Sequence, residues 1–269
     1  MLVREDYKKE TEYVGRIVVP GEKNSGITKR IQEWICLHRF HTLGWTIEID
    51  VDDHYGDATK GAIKEFQRFY NLPETGSVGQ KTWYHLVNPM AKAFTKINFD
   101  SNIPYKERVV MYMESFVAQH PTELRQNEGP WVRAFMKGQD GSWLAWCCGN
   151  LCTALDHAAD SMDRSMTDWL NWTWSCDELM NNARRSKQVK YYTQMEIKSN
   201  PSIVERGDIF LVMKNSNDAT HTGIIYKVEN DVIYTIEANT NDEGSREGYE
   251  MCKRVRNLSS GKYSIIKLL

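Results

Sequence analysis

Apolar positions along the chain follow two rhythms, and the change between them divides it. In the first part they return every three or four residues, the spacing of a buried helical face. Ile27, Ile31, Trp34 and Ile35 form one such face, and Ala62, Ile63, Phe66 and Phe69 a second. A short helix runs from Thr82-Trp83 to Val87. Val109, Met113, Phe116 and Val117 mark a helix within Tyr105 to His120. From Leu144 the pattern continues through Cys148, Leu151, Cys152, Leu155, Ala158, Ala159 and Met162, with Ser142 or Asp140 as its expected cap. Beyond Pro201 the rhythm is that of strands: Ile209 to Val212, Thr222 to Val228, Val232 to Ile236 and Tyr263 to Leu268. An early strand is expected from Val14 to Val19, ended by Pro20-Gly21, while residues 166–195 have no clear period. Helices first and antiparallel strands afterwards predict an α+β fold. The expected organisation is an extension (1–22), a small helical module (23–88), a linker containing two prolines (89–104) and a second domain (105–269).

The hairpin pattern predicts a register. With Glu229-Asn230-Asp231 as the loop, Val228 faces Val232, Tyr226 faces Tyr234 and Ile224 faces Ile236, which gathers the apolar residues on one side of the sheet. The other side then carries His221, Gly223 and Ile225 beside Thr235, Glu237 and Asn239. His221 falls opposite Asn239, with Glu237 one diagonal away. An imidazole beside a carboxylate and a carboxamide is the arrangement that orients a general base. The helix expected from Leu144 supplies a matching nucleophile. A thiol in its first turn, Cys147 or Cys148, meets unpaired N–H groups and the positive end of the helix dipole, which favour thiolate. Free cysteine is also commonly a small core residue, and both readings stay open at this point.

Composition narrows the function. Of 269 residues, 26% are charged and 41% hydrophobic, with a net charge of -2, an ordinary globular balance that does not point to nucleic acid. The start lacks an apolar signal-peptide core and no run has membrane-spanning length. Synthesis in the cytoplasm and action elsewhere only after release or delivery is therefore expected. Six cysteines, two of them adjacent and none in a CxxC pair, read as free thiols. Cys36, His38 and His41 lack the spacing of a shared ligand face, and Asp50, Asp52, Asp53 and Asp57 lack an EF-hand pattern. No GxSxG or HExxH is present, so no metal and no cofactor is expected.

Two stretches resemble known families. Ile31-Gln32, Asp53-His54-Tyr55-Gly56-Asp57-Ala58-Thr59, Ala62-Ile63, Phe66-Gln67, Leu72, Thr75-Gly76-Ser77-Val78 and Thr82-Trp83 resemble the peptidoglycan-binding domain (PG_binding_1 type) of cell-wall hydrolases, with a longer segment, His38 to Ile49, after the first helix. Trp146-Cys147-Cys148-Gly149, Arg206-Gly207-Asp208-Ile209, His221-Thr222-Gly223-Ile224-Ile225 and Ile236-Glu237-Ala238-Asn239-Thr240 resemble a CHAP amidase domain of the papain-like NlpC/P60 group. This resemblance implies Cys147 as nucleophile, His221 as base, and Glu237 and Asn239 as its orienting groups. Contacts to the wall polymer are expected from Asp53, Tyr55, Gly56 and Trp83, and from Trp146 beside the thiol. Asn150 replaces the aromatic of many relatives. Asp140 stands alone where some have a calcium-binding Asp-x-Asp, so no calcium requirement is expected. The two resemblances together imply a phage endolysin-like enzyme, most like an N-acetylmuramoyl-L-alanine amidase. The alternatives are a peptidoglycan endopeptidase, a delivered toxin effector, or a non-catalytic wall-binding protein. Peptidoglycan is the expected partner, with a holin-dependent release system or an immunity protein beside it. Neither nucleic acid nor membrane is expected.

Overall fold

A computed structural model describes residues 7–38, 49–241 and 248–269. His41 and most of the segment from His38 to Ile49 lie outside the described residues. Among those described, a helical N-terminal region is followed by a domain built on a six-stranded antiparallel sheet, so the α+β expectation holds.

The first region comprises α1 (Tyr7–Thr11), α2 (Ile27–His38), α3 (Asp57–Phe69) and α4 (Gln80–Ala93). Ile31, Trp34, Ile35, Ala62, Ile63, Phe66, Trp83 and Leu86 are buried together, as the helical spacing requires. Phe69, assigned to the same face as Phe66, is exposed instead. Two buried glutamines tie the loops to the helices. Gln32 donates to the Asp52 carboxylate (2.7 Å) and accepts from the N–H of Asp53 (2.9 Å). Gln67 donates to Ser77 O (2.8 Å) and accepts from Gly76 N–H (2.9 Å). The expected strand from Val14 to Val19 is reduced to one bridge, Val18 with Val78, because Gly15 at φ 78° turns the chain before a ladder can form. Helix α4 does not stop at Val87 but runs through Pro89 to Ala93. Proline costs that helix a hydrogen bond, which burial of Met90 and Ala93 on its inner face offsets. Just beyond, Phe94 stacks on Tyr7, Phe116 and Phe135, so one apolar core continues from the first region into the second.

The second region adds α5 (Tyr105–Val117), α6 (Pro130–Phe135), α7 (Cys147–Asp160), α8 (Cys176–Arg185) and α9 (Gln194–Ser199) to strands β1 (Val189–Tyr192), β2 (Ile209–Asn215), β3 (Asp218–Glu229), β4 (Val232–Thr240), β5 (Glu250–Asn257) and β6 (Tyr263–Leu268). The strand order is β1-β6-β2-β3-β4-β5. Ile209, Leu211, Ile224 and Ile236 belong to the main core shared with α7. Phe210, Ile225, Ile233 and Ile265 close a second cluster with Ile197 of α9 and Val204. A sheet covered on both faces accounts for the continuous apolar run Ile209 to Val212.

The hairpin register is right near the site and wrong at the turn. The loop is two residues, Asn230-Asp231, with Asn230 at φ 54°. Val228 therefore pairs with Ile233 and Lys227 with Tyr234. A bulge between Ile225 and Lys227 absorbs the extra residue, after which Ile224 pairs with Ile236 and Gly223 with Glu237.

Candidate active site

Helix α7 starts at Cys147, later than the apolar spacing predicted. Its N-cap is Trp146, and no side chain caps it. Asp140, one expected cap, instead accepts from Gly129 N–H (3.1 Å) and pairs with Arg133 (2.8 Å), while Ser142 lends its carbonyl to Asn127. Packing holds the helix in place of capping. Leu151, Leu155, Ala158 and Ala159 are fully buried, and a leucine buried this way contributes ~1.5–3 kcal/mol. Gly149 allows α6 to come close, since a Cβ there would sit 2.2 Å from Met136 Sδ and 2.8 Å from Phe135 O. The first-turn N–H groups of α7 thus lack side-chain acceptors, and their dipole favours an anion at Cys147.

Three strands bring the polar groups to this end. His221 Nε2 lies 2.8 Å from Glu237 Oε2, so the diagonal neighbour is the partner of the ring. Both residues are buried, His221 at 2% and Glu237 at 0% exposure. Gly223 makes the approach of β4 possible. A Cβ there would lie 2.5 Å from Ile236 O and 3.1 Å from Glu237 Cγ. Arg256 of β5 donates from Nε to Glu237 Oε1 and from Nη2 to Oε2, both at 2.5 Å. Thr235 Oγ1 donates to Oε1 as well. The second ring nitrogen, His221 Nδ1, is buried and meets no oxygen or nitrogen partner, which leaves the Cys147 thiol as the group that interacts with the ring from α7. Asn239 stands two residues beyond Glu237, buried, at φ 56° in the left-handed region that asparagine tolerates best among non-glycine residues.

The thiols form a second cluster. Cys147 Sγ lies 3.8 Å from Cys176 Sγ at the start of α8, and Cys148 and Cys152 are buried behind them. Hydrogen bonds from Cys147 and Cys148 pull the Cys176 thiol down to about 5 against its burial. Cys147 is raised by that same hydrogen bond and by burial, while His221 pulls it down. The two thiols are coupled, so ionising either one makes ionisation of the other costlier. Cys148 is raised by Cys152, Cys176 and burial. The imidazole thus bears on Cys147, not on its neighbour in sequence. For His221 burial opposes the charge, but Cys147 and Glu237 outweigh it and push the ring up to about 9. Burial pushes Glu237 upward, and Arg256 and His221 overcome it to leave the carboxyl at about 2.

A cavity of about 690 Å³ opens beside this end, lined by residues that include Thr122, Glu123, Arg125, Asn239, Tyr249 and Glu250. Glu123 also accepts from Trp146 Nε1 (2.6 Å). Trp146 itself is fully buried and stacked on Phe135, so it anchors the chain before the thiol and offers no surface to a substrate. The first-region residues expected at the polymer are likewise occupied internally. Asp53 accepts from Gly26 and Lys29 N–H at the start of α2, and Gly56 is the N-cap of α3. Tyr55 is buried with its hydroxyl on Gly76 O, and Trp83 is buried with Nε1 on Thr11 O. Within residues 166–195, Trp169 is stacked on Tyr105 inside the core and Trp174 is exposed. His38 is buried against Phe66 with a ring nitrogen 2.7 Å from Leu86 O. Among the described residues no cluster of three or more His, Cys, Asp or Glu is arranged to hold a metal.

Arg256 and Cys176 were not singled out in the sequence. The signal for Arg256 is weak, because one arginine in an edge strand of alternating charge looks solvated. Cys176 carries a better one: Ser175 before it and Asp177-Glu178 after it mark a capped helix start with the thiol at its first position.

Comparison with known proteins bears on the first region. The family model of a peptidoglycan binding domain, PG_binding_1, matches residues 37–86. The match covers part of the helical module and supports cell-wall association, with peptidoglycan as a partner. No curated protein and no solved structure matches the chain. No helix among the described residues is long and apolar enough to cross a membrane.

Proposed function

We propose that the protein is a peptidoglycan hydrolase: a wall-binding module followed by a CHAP-like thiol amidohydrolase. The observation that carries this reading is the meeting of Cys147, at the uncapped start of α7, with a buried His221–Glu237 pair. Cys147 thiolate attacks the amide carbonyl carbon, and the oxygen takes the negative charge against the backbone N–H groups at the helix start. As the C–N bond breaks, the His221 imidazolium gives its proton to the departing amine, leaving a thioester. Water then attacks the thioester, His221 takes its proton, and thiolate leaves, which returns imidazolium and thiolate. Glu237 keeps the ring oriented and supplies its counter-charge. Asn239, on the cavity wall, is the fourth member of the set.

The bond assigned is the N-acetylmuramoyl-L-alanine amide, and peptide endopeptidase cleavage would use the same groups. The setting assigned is that of a phage endolysin released through a holin; a delivered effector with an immunity protein would share the chemistry. Digestion of purified sacculi tests the reaction. New N-terminal alanine without other new amines supports the amidase. New diaminopimelate or bridge amines would make it an endopeptidase. Binding to sacculi without any new ends would leave only a wall-binding protein.

A further inference from the structure

The carboxylate of Glu237 is saturated with donors. Oε1 receives Arg256 Nε and Thr235 Oγ1, and Oε2 receives Arg256 Nη2 and His221 Nε2. Four donors fill its four lone-pair directions, so a proton on this carboxyl would have to displace one of them. The contact is not an accident of cross-strand neighbours. Glu237 pairs with Cys252, while Arg256 pairs with Ile233, so Glu237 lies along the sheet face over Thr235 to reach the guanidinium. Arg256 is also fixed from its other sides. It lies 5.1 Å from the Phe210 ring centroid and interacts with the Tyr263 hydroxyl. Phe210 in turn lies 6.3 Å from the His221 ring.

A fully buried carboxylate with one imidazole for company has two ways to become neutral. It can take the imidazole proton, or it can take a proton from water. Either outcome leaves His221 without a counter-charge. A guanidinium cannot lose its proton under these conditions, so it removes both routes. The charged groups that bear on the ring are Cys147 from α7, Glu237 from β4 and, through Glu237, Arg256 from β5; Cys176 of α8 acts through Cys147.

We propose that Arg256 is a positioning residue for the base: it keeps Glu237 ionised and turned toward His221, so that the ring remains protonated beside the Cys147 thiolate. Its catalytic meaning rests on the thiol-hydrolase reading, but its effect on the ring does not. Arg256→Met removes the charge, Arg256→Lys keeps charge without the two-point grip, and Glu237→Gln removes the counter-charge directly.

The test is a titration of the histidine side chains, labelled with ¹³C and followed by NMR, with His221 assigned from His221→Gln. Wild type titrates above the ordinary histidine range. Arg256→Met lowers the midpoint by about one pH unit or more, in the direction of Glu237→Gln. Arg256→Lys stays within about half a unit of wild type and loses turnover with KM unchanged. An unchanged or raised midpoint in folded Arg256→Met overturns the proposal. If Arg256→Met does not fold, Arg256→Lys decides it, because a fall as large as that of Glu237→Gln shows that a cation at this place does not hold the carboxylate. If the midpoints move as expected while wild type cuts no peptidoglycan, Arg256 keeps its role and the hydrolase reading fails.

Discussion

Arg133 of α6 joins the two regions of the chain, and replacing it tests the electrostatics of that junction. Its Nε and Nη2 meet Glu10 at 2.8 and 2.9 Å, its Nη1 and Nη2 meet Glu33 at 3.2 and 2.6 Å, and Nη1 meets Asp140 at 2.8 Å. The side chains of Glu10 and Glu33 are only 8% and 5% exposed. Arg133→Met leaves two carboxylates side by side, out of water and without the guanidinium that bridges them, with Arg30 and Lys29 acting on them only at longer range. Removing one partner of a buried pair costs ~3–5 kcal/mol. For a chain of this size that is on the order of 10 °C in Tm. The cost depends on pH, and its sign follows from the carboxylates. Burial already raises the Glu33 carboxyl above its ordinary value against the pull of Arg133, and without Arg133 it rises further, so the folded variant holds a proton that its unfolded chain has released. Destabilisation is therefore small near pH 5, where protonation relieves the repulsion, and full at pH 8. Urea unfolding of wild type and variant at both pH values measures this. A cost below ~1 kcal/mol at pH 8, the level of an exposed ion pair, would refute the reasoning. So would an equal cost at the two pH values.

Gly223→Ala should lower stability by ~1–3 kcal/mol, since its Cβ meets the backbone oxygen of Ile236, which cannot move without opening the β3–β4 ladder; the urea midpoint reads this. Burial raises the Asp208 carboxyl to about 7, and its Oδ1 has no hydrogen-bond partner. The folded protein thus keeps a proton that the unfolded chain releases above the ordinary aspartate range, and stability falls as pH rises toward 7. Asp208→Asn should accordingly gain Tm relative to wild type, and the gain should be larger at pH 8 than at pH 5. Cys176→Ala removes the leading influence that raises the Cys147 thiol. Alkylation of Cys147 by iodoacetamide at pH 6, followed by peptide mass spectrometry, should become at least about threefold faster.

The helices of the first region were legible because each carries its apolar residues at one spacing and buries them in one core. The same holds for α5 and for the body of α7. The start of α7 was not, because Asp140 and Ser142 have the residue types of a cap but neither reaches the helix. Asp140 is drawn away by Arg133, a residue that no local pattern connects to it. Glu237 and His221 could be placed on one sheet face because Ile224 and Ile236 fix that register. The bulge at Tyr226 stayed hidden, since a two-residue and a three-residue loop fit the same polar stretch. Strand β5 carries no apolar alternation for a physical reason: as an edge strand it buries only Met251, alternates half-buried and exposed residues beyond it, and carries lysine and arginines. The same pattern hides Arg256. Tyr55 and Trp83 belong to the resemblance motif but serve the core of the module, which shows how a motif can mark a fold and not its ligand surface.

The central claim is that Cys147, and not the adjacent Cys148, is the nucleophile of a peptidoglycan hydrolase. The measurement is turbidity loss of purified peptidoglycan with wild type, Cys147→Ala and Cys148→Ala. Wild type and a folded Cys148→Ala should clear the suspension, and Cys147→Ala should not, although it should still bind the sacculi. Loss of clearing in Cys148→Ala alone would contradict the assignment of the thiol. Binding without clearing by wild type, on walls of several chemotypes, would contradict the enzyme itself.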